Sequence, residues 1–271
     1  MLIHMRGAIF DVDGVLVDSP HEKAWRESLR ELMENEWSEI RDQTTWSPDA
    51  FTPLLYQQQV SGKPRMSGAQ AALRHFHVPD DEDGHRLAEY AARKQEMVVR
   101  LIEAGDFRAY PDALRFVLAM ADAGVRIAAA SSSRNAPLFL RRIPLDEFAR
   151  DEGLTSPSVR PGLTLLDVLD ADVSGRELAH GKPEPDIFLA AADELGVAPG
   201  QAVVIEDAPA GVQAAKAGDM AAIGIARADD EDLLAAAGAD IVVTSLDQVD
   251  LAALAEGRLA TKAVPTGGEG A

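Results

Sequence analysis

The chain has 271 residues, of which 46% are hydrophobic and 26% charged, with a formal net charge of −19 and no cysteine. That length supports one large domain or two small ones around a substantial core. The lack of cysteine excludes disulfides, thiolate metal sites and cysteine nucleophiles. The acidic surplus argues against a nucleic-acid partner, whose phosphates need clustered Lys and Arg. No apolar run approaches the roughly 18 residues of a membrane span, and no signal-peptide pattern opens the chain. A cytoplasmic protein without a membrane partner is expected, its oligomeric state left open.

In chain order, Gly7–Phe10 is a short apolar run that stops at Asp11-Val12-Asp13-Gly14-Val15, which predicts a buried parallel strand. Two carboxylates at i and i+2 beyond a strand end suit chemistry at one point, because a turn at Gly14 can aim them around a shared centre. An Asp-Gly turn capping a helix is the other reading of these residues. From His21 to Asp106 no buried strand is predicted, and Ala24–Glu36, Gly68–His77 and Arg86–Glu103 read as helices with polar faces. Residues 21–106 are therefore expected to be a helical domain inserted into a core of residues 1–20 and 107–256. Trp25, Trp37 and Trp46 are expected in the core of that insertion.

Ala113–Ala123 predicts a helix and Val125–Ala130 a second strand, ending in Ser131-Ser132-Ser133-Arg134-Asn135. Hydroxyls and backbone N–H groups at such a turn suit a phosphate cradle, and equally a plain helix cap. Asp146–Gly162 reads as a surface excursion on its Thr-Ser-Pro-Ser and Arg-Pro-Gly runs. Two prolines stiffen Gly181-Lys182-Pro183-Glu184-Pro185-Asp186 before a helix over Asp186–Leu195. A Lys held rigidly beside acids neutralises charge on a transferring phosphoryl group, whereas a lone loop Lys is usually just solvated.

The strand predicted over Ala202–Ile205 ends in Glu206-Asp207. Two more acids at a strand end are costly unless a cation stands among them. Four carboxylates at one sheet edge suggest a hard divalent cation, and Mg²⁺ suits one or two carboxylates plus waters and a substrate phosphate. A helix over Gly211–Ala217 and strands over Ala222–Ile225 and Ile241–Thr244 follow, and residues 257–271 are expected to be a disordered tail. His4, His75, His77, His85 and His180 have no metal-ligand spacing. Strand and helix in alternation predict an α/β fold, a doubly wound parallel sheet whose ligands gather beyond the C-terminal strand ends.

Together, Asp11-Val12-Asp13-Gly14-Val15, Ser131, Lys182 and Glu206-Asp207 resemble, in order and spacing, the four motifs of the haloacid dehalogenase superfamily. The resemblance spans about residues 6 to 230, and the second Asp of the first motif marks the phosphoryl-transfer branch. It implies a Rossmann-like core with an inserted helical cap. It implies that Asp11 attacks phosphorus to form an aspartyl-phosphate, and that Asp13 protonates the leaving oxygen and deprotonates the next nucleophile. Mg²⁺ would sit on the Asp11 carboxylate, the Asp13 carbonyl and the Glu206-Asp207 pair, while Ser131 and Lys182 hold phosphoryl oxygens.

Other segments resemble the β-phosphoglucomutase branch. They are Ser131–Asn135, with Arg134 in place of that branch's usual Lys, Gly181–Phe188, His21-Glu22-Lys23-Ala24-Trp25, Gly62-Lys63-Pro64-Arg65 and Lys94 in Ala92-Arg93-Lys94-Gln95. This implies substrate contacts from His21, Ser132, Ser133, Arg134 and Asn135, from Arg65 on a non-transferring phosphate, and from Lys94 near the sugar. Asp18-Ser19-Pro20 is two residues shorter than the branch pattern, and the 146–162 excursion is longer than in compact members. The expected activity is isomerisation of a sugar phosphate through a bisphosphate, and the alternative is a phosphatase for small sugar or polyol phosphates using the same residues.

Overall fold

A computed structural model of the chain describes residues 5–81 and 83–263. His4 and residues 264–271, the greater part of the expected tail, lie outside them. The strands are β1 (Gly7–Phe10), β2 (Val17–Asp18), β3 (Arg108–Ala109), β4 (Arg126–Ala129), β5 (Ala171–Asp172), β6 (Ala202–Glu206), β7 (Ala221–Ile225) and β8 (Ile241–Val243). Six of them form a parallel sheet in the order β5-β4-β1-β6-β7-β8. Phe10 lies opposite Ala129 on one side and Ile205 on the other. The chain thus winds outward from β1 in both directions, and the strand order reverses beside β1, where ligand crevices open in doubly wound sheets.

Successive residues of these strands feed two different cores. Ala8, Phe10, Ile127, Val203 and Ile205 pack on one face, and Ile9, Ala128, Val204 and Ala222 on the other. Helices cover both faces, so the strands are apolar throughout rather than alternating.

Residues 21–106 carry the helices His21–Glu34, Arg65–His75 and His85–Glu103, which enclose a third core of Trp25, Leu29, Trp37, Trp46, Phe51 and Tyr90. The two connections between this cap and the sheet pair with each other as an antiparallel ribbon, Val17 opposite Ala109 and Asp18 opposite Arg108. Several helices start two or three residues earlier than the apolar period alone predicts. They begin at or just after Pro20, Pro64, Pro111 and Pro209, where proline's missing N–H costs nothing.

Two expectations need correction. The excursion is not wholly a surface loop, because Leu145–Asp151 is a helix that buries Leu145 and Ala149 in the main core beside Leu163 and Leu165. Four-residue spacing puts both side chains on one face. The expected tail also starts too early at Gly257. Val249 bridges to Thr261, the Asp250 N–H donates to Ala260 O at 2.9 Å, and the Lys262 N–H donates to Gln248 O at 2.7 Å. Among the described residues no helix is long and apolar enough to cross a membrane.

Candidate active site

Asp11 follows the last residue of β1, and its N–H extends the ladder by donating to Ile205 O at 3.0 Å. Glu206 ends β6. Lys182 enters from the loop before the helix Asp186–Leu195, and its Nζ stands 2.5 Å from Asp11 Oδ1 and in contact with Glu206 Oε1. All three are at least 94% buried. Burial opposes the ammonium charge, yet Asp11 and Glu206 outweigh it and hold the Lys182 pKa above its ordinary value. The second Glu206 oxygen accepts the Ala208 N–H at 2.9 Å.

Glycine makes this packing possible at two positions. A Cβ on Gly211 would stand 1.8 Å from Glu206 Oε1, and one on Gly14, whose φ is +83°, would stand 2.0 Å from Asp207 Oδ2. The loops after β1 and β6 therefore press against each other with no room for a side chain between them.

Asp13 turns both carboxylate oxygens to hydroxyls. Ser19 Oγ donates to Oδ1, and the Tyr56 hydroxyl donates to Oδ2 at 2.9 Å. Burial lifts the Asp13 pKa to about 6, and Asp11 adds to the lift while Ser19, Tyr56 and Lys94 oppose it. Burial, together with Glu206, Asp11 and Asp13, pushes the Asp207 carboxyl well above its usual range.

At the end of β4, Ser131 Oγ accepts the Ser133 N–H at 3.1 Å, and the Ser131 N–H donates to Ser174 Oγ at 3.2 Å. Ser132 Oγ donates to Gly62 O of the cap at 3.0 Å, and Ser133 Oγ lies 3.2 Å from His21 Nε2. Among the described residues His21 Nδ1 has no partner, although it is buried. Burial, with Lys94 adding repulsion, lowers the His21 pKa well below its usual value.

On the cap side Arg65 donates to Gln95 Oε1 at 2.7 Å, and Gln95 exchanges hydrogen bonds with Asn135 at 2.8 and 3.2 Å. Lys94 is 5% exposed and lies 4.9 Å above the Trp25 ring. Every site residue expected from the sequence borders one cavity of about 420 Å³ between cap and sheet. Arg134 is the outlier, because its guanidinium pairs with exposed Glu177.

The family model of haloacid dehalogenase-like hydrolases matches residues 5–219. The chain belongs to that family. This hydrolase-family chain is 34% identical over 259 residues to a β-phosphoglucomutase of Mycobacterium tuberculosis, covering 90% of this chain and 91% of the relative. It is 27% identical over 244 residues to hexitol phosphatase A of Escherichia coli, covering 90% and 93%. Its fold matches the crystal structure of an archaeal β-phosphoglucomutase from a Pyrococcus species with a TM-score of 0.65 and 29% identity, over 93% of this chain and 100% of that one. The chain is an enzyme of the phosphomutase and phosphatase kind found in this family.

Among the described residues no three His, Asp or Glu side chains form a ready metal cage. Three of the expected carboxylates have other partners, since Asp11 and Glu206 share Lys182, Glu206 also accepts the Ala208 N–H, and Asp13 serves Ser19 and Tyr56. Asp207 stands against Glu206, Asp11 and Asp13, whose repulsion Lys182 only partly offsets, and that acidic surplus fits a divalent cation shared with Asp11.

Sequence reasoning missed several residues of the site. Ser19, Tyr56, Gln57 and Gln95 sit in segments whose local pattern carries no sign of their partners. Arg227 had a legible signal, because it stands two residues beyond the C-terminal end of β7. It donates to Gly14 O and Val15 O at 3.2 Å each, pairs with buried Asp112 at 2.9 Å, and stacks 3.8 Å from the Tyr110 ring. It thereby fastens the turn that follows Asp13.

Proposed function

We propose that this enzyme isomerises a small sugar phosphate in the manner of a β-phosphoglucomutase, through an aspartyl-phosphate on Asp11. The observation that carries the reading is a second cationic centre in the cap. Lys94 is buried with no ion pair or hydrogen bond among the described residues; burial and, less strongly, Arg65 lower its pKa to about 7, while Asp13 opposes them. A substrate phosphate between Lys94 and Arg65 would favour the charged form of Lys94 and offset the repulsion between them. Lys182, already neutralised by Asp11 and Glu206, serves the transferring phosphoryl group at the sheet. A substrate with a phosphate at each end in turn accounts for both centres, and a simple phosphatase needs only the first.

In this reading an Asp11 oxygen bonds to phosphorus, the ester bond breaks, and the leaving sugar oxygen takes the proton of Asp13. The free hydroxyl of a sugar phosphate then attacks the aspartyl-phosphate, gives its proton to Asp13 and restores Asp11, and the bisphosphate so formed returns its other phosphate to Asp11 by the same steps. A carboxyl with a pKa of about 6 suits both roles near neutral pH. The Asp11 and Asp207 carboxylates and the Asp13 carbonyl would hold Mg²⁺, which neutralises charge on the phosphoryl oxygens. The contacts of Tyr56, Gln57 and Gly62 with the sheet loops bring the cap over the cavity.

The test is formation of glucose 6-phosphate from β-glucose 1-phosphate, coupled to a dehydrogenase and stimulated by the 1,6-bisphosphate. Arg65→Ala should weaken this conversion much more than it weakens hydrolysis of a small aryl phosphate, which does not extend to the cap. Release of inorganic phosphate alone from every sugar phosphate tried would replace the mutase by the phosphatase.

A further inference from the structure

One short cap segment touches the catalytic end of the sheet at several points. Tyr56–Val60 is a π-helical turn, a rare geometry that recurs at functional sites. Its first two side chains go to different loops. The Tyr56 hydroxyl donates to Asp13 Oδ2 at 2.9 Å, whereas Gln57 Nε2 donates to the Asp207 carbonyl at 2.9 Å and lies 3.4 Å from Asp230 Oδ2. Asp13 Oδ1 is held by Ser19 on its own side of the cap junction. Oδ2 is held from the cap, so it is the oxygen whose partner departs when the cap moves.

We infer that Tyr56 is a positioning residue that selects the acceptor for the phosphorylated Asp11. It occupies Asp13 Oδ2, keeping it from water, until a substrate hydroxyl held between cap and sheet takes its place. The inference rests on the aspartyl-phosphate reading above. In the competing hydrolysis a water oxygen bonds to phosphorus and the bond from phosphorus to Asp11 breaks. The water proton passes to Asp13, and inorganic phosphate leaves with Asp11 restored as a carboxylate. With Oδ1 bonded to Ser19, Oδ2 is the oxygen that takes this proton, and a phenol already donating to it weakens it as a base. A bound sugar can displace the phenol because it brings its own contacts to cap and sheet, which water lacks.

Tyr56→Phe deletes the hydroxyl and keeps the ring. With Mg²⁺ present it should raise kcat for hydrolysis of p-nitrophenyl phosphate several-fold with little change in KM. It should also raise the phosphate released per glucose 6-phosphate formed. Arg108→Ala loosens the cap junction by removing the exposed ion pair to Asp18 at 3.2 Å, does not touch Asp13, and should leave kcat and the product ratio as in wild type. An unchanged or lower kcat in Tyr56→Phe, or an equal rise in Arg108→Ala, would reduce Tyr56 to a cap fastener and overturn the inference. If wild type forms no glucose 6-phosphate the mutase reading fails, while the aryl phosphate comparison still decides the role of Tyr56. Turnover retained in Asp11→Asn would remove the aspartyl-phosphate and the inference with it.

Discussion

Replacing Gly by Ala inside a helix ordinarily stabilises a protein by up to about 1 kcal/mol. At Gly211, in the helix Pro209–Ala217, the sign should reverse. The new Cβ would stand 1.8 Å from Glu206 Oε1 and 1.9 Å from Glu206 Cδ. Glu206 is 1% exposed and is held by Lys182 and the Ala208 N–H, so it cannot swing into solvent. If the helix start shifts to accommodate the methyl, the cost is that of overpacking, about 1–3 kcal/mol. If Glu206 leaves Lys182, the cost approaches the roughly 3–5 kcal/mol of a broken buried pair. A net loss of about 3 kcal/mol corresponds to a fall in Tm of roughly 6–12 °C for a chain of this size. In a Glu206→Ala background the obstructing atoms are gone, and Gly211→Ala should return to the ordinary stabilisation of about 0.5–1 kcal/mol. Thermal and urea unfolding followed by circular dichroism, with chelator present, gives the four corners of this cycle. A Gly211→Ala protein as stable as wild type, or a cost that persists in the Glu206→Ala background, would show that Glu206 does not require the glycine.

Asp11→Asn should abolish turnover with the circular dichroism spectrum intact. Asp13→Asn should cost about 10²–10⁴-fold, remove the ionisation near pH 6 from the pH–rate profile, and yet stabilise the metal-free fold at neutral pH. The Asp13 pKa rises from 3.8 to about 6 on folding, so its ionised form is penalised in the fold. The penalty is absent below about pH 4, grows through about pH 6 and reaches up to about 3 kcal/mol above it. Unfolding titrations from pH 4 to 8 should show the Asn variant's advantage appear over that window, and a constant difference would contradict the burial of Asp13. Activity should vanish with chelator and return with Mg²⁺, poorly with Ca²⁺, and Asp207→Ala should shift the Mg²⁺ activation curve to higher concentration. Arg227→Ala should destabilise by about 3–5 kcal/mol, because among the described residues it leaves the buried Asp112 carboxylate with the Leu246 N–H alone, at 2.8 Å, and it should lower kcat by freeing the Gly14–Val15 turn. Melting at the wild-type temperature would refute that role.

The features legible in the sequence alone are those that local physics controls. Four-residue apolar runs such as Gly7–Phe10 are legible as buried strands because both faces of a parallel sheet exclude water. Asp11, Ser131 and Glu206 are legible as site candidates because polar residues cluster where such strands end. The helix Asp186–Leu195 is readable from its period and its preceding prolines. The tertiary structure decided the two-residue strands β2, β3 and β5, which are too short to show any period. It also decided which partner each acid takes. Lys182 lies 171 residues from Asp11 along the chain and reaches its carboxylate only through the folded loop, and Tyr56 comes to Asp13 from 43 residues away in the cap. Neither pairing leaves a trace in the spacing of neighbouring residues. Each depends on the sheet order and on how the cap rests on the strand ends, and those follow from burying three separate cores together.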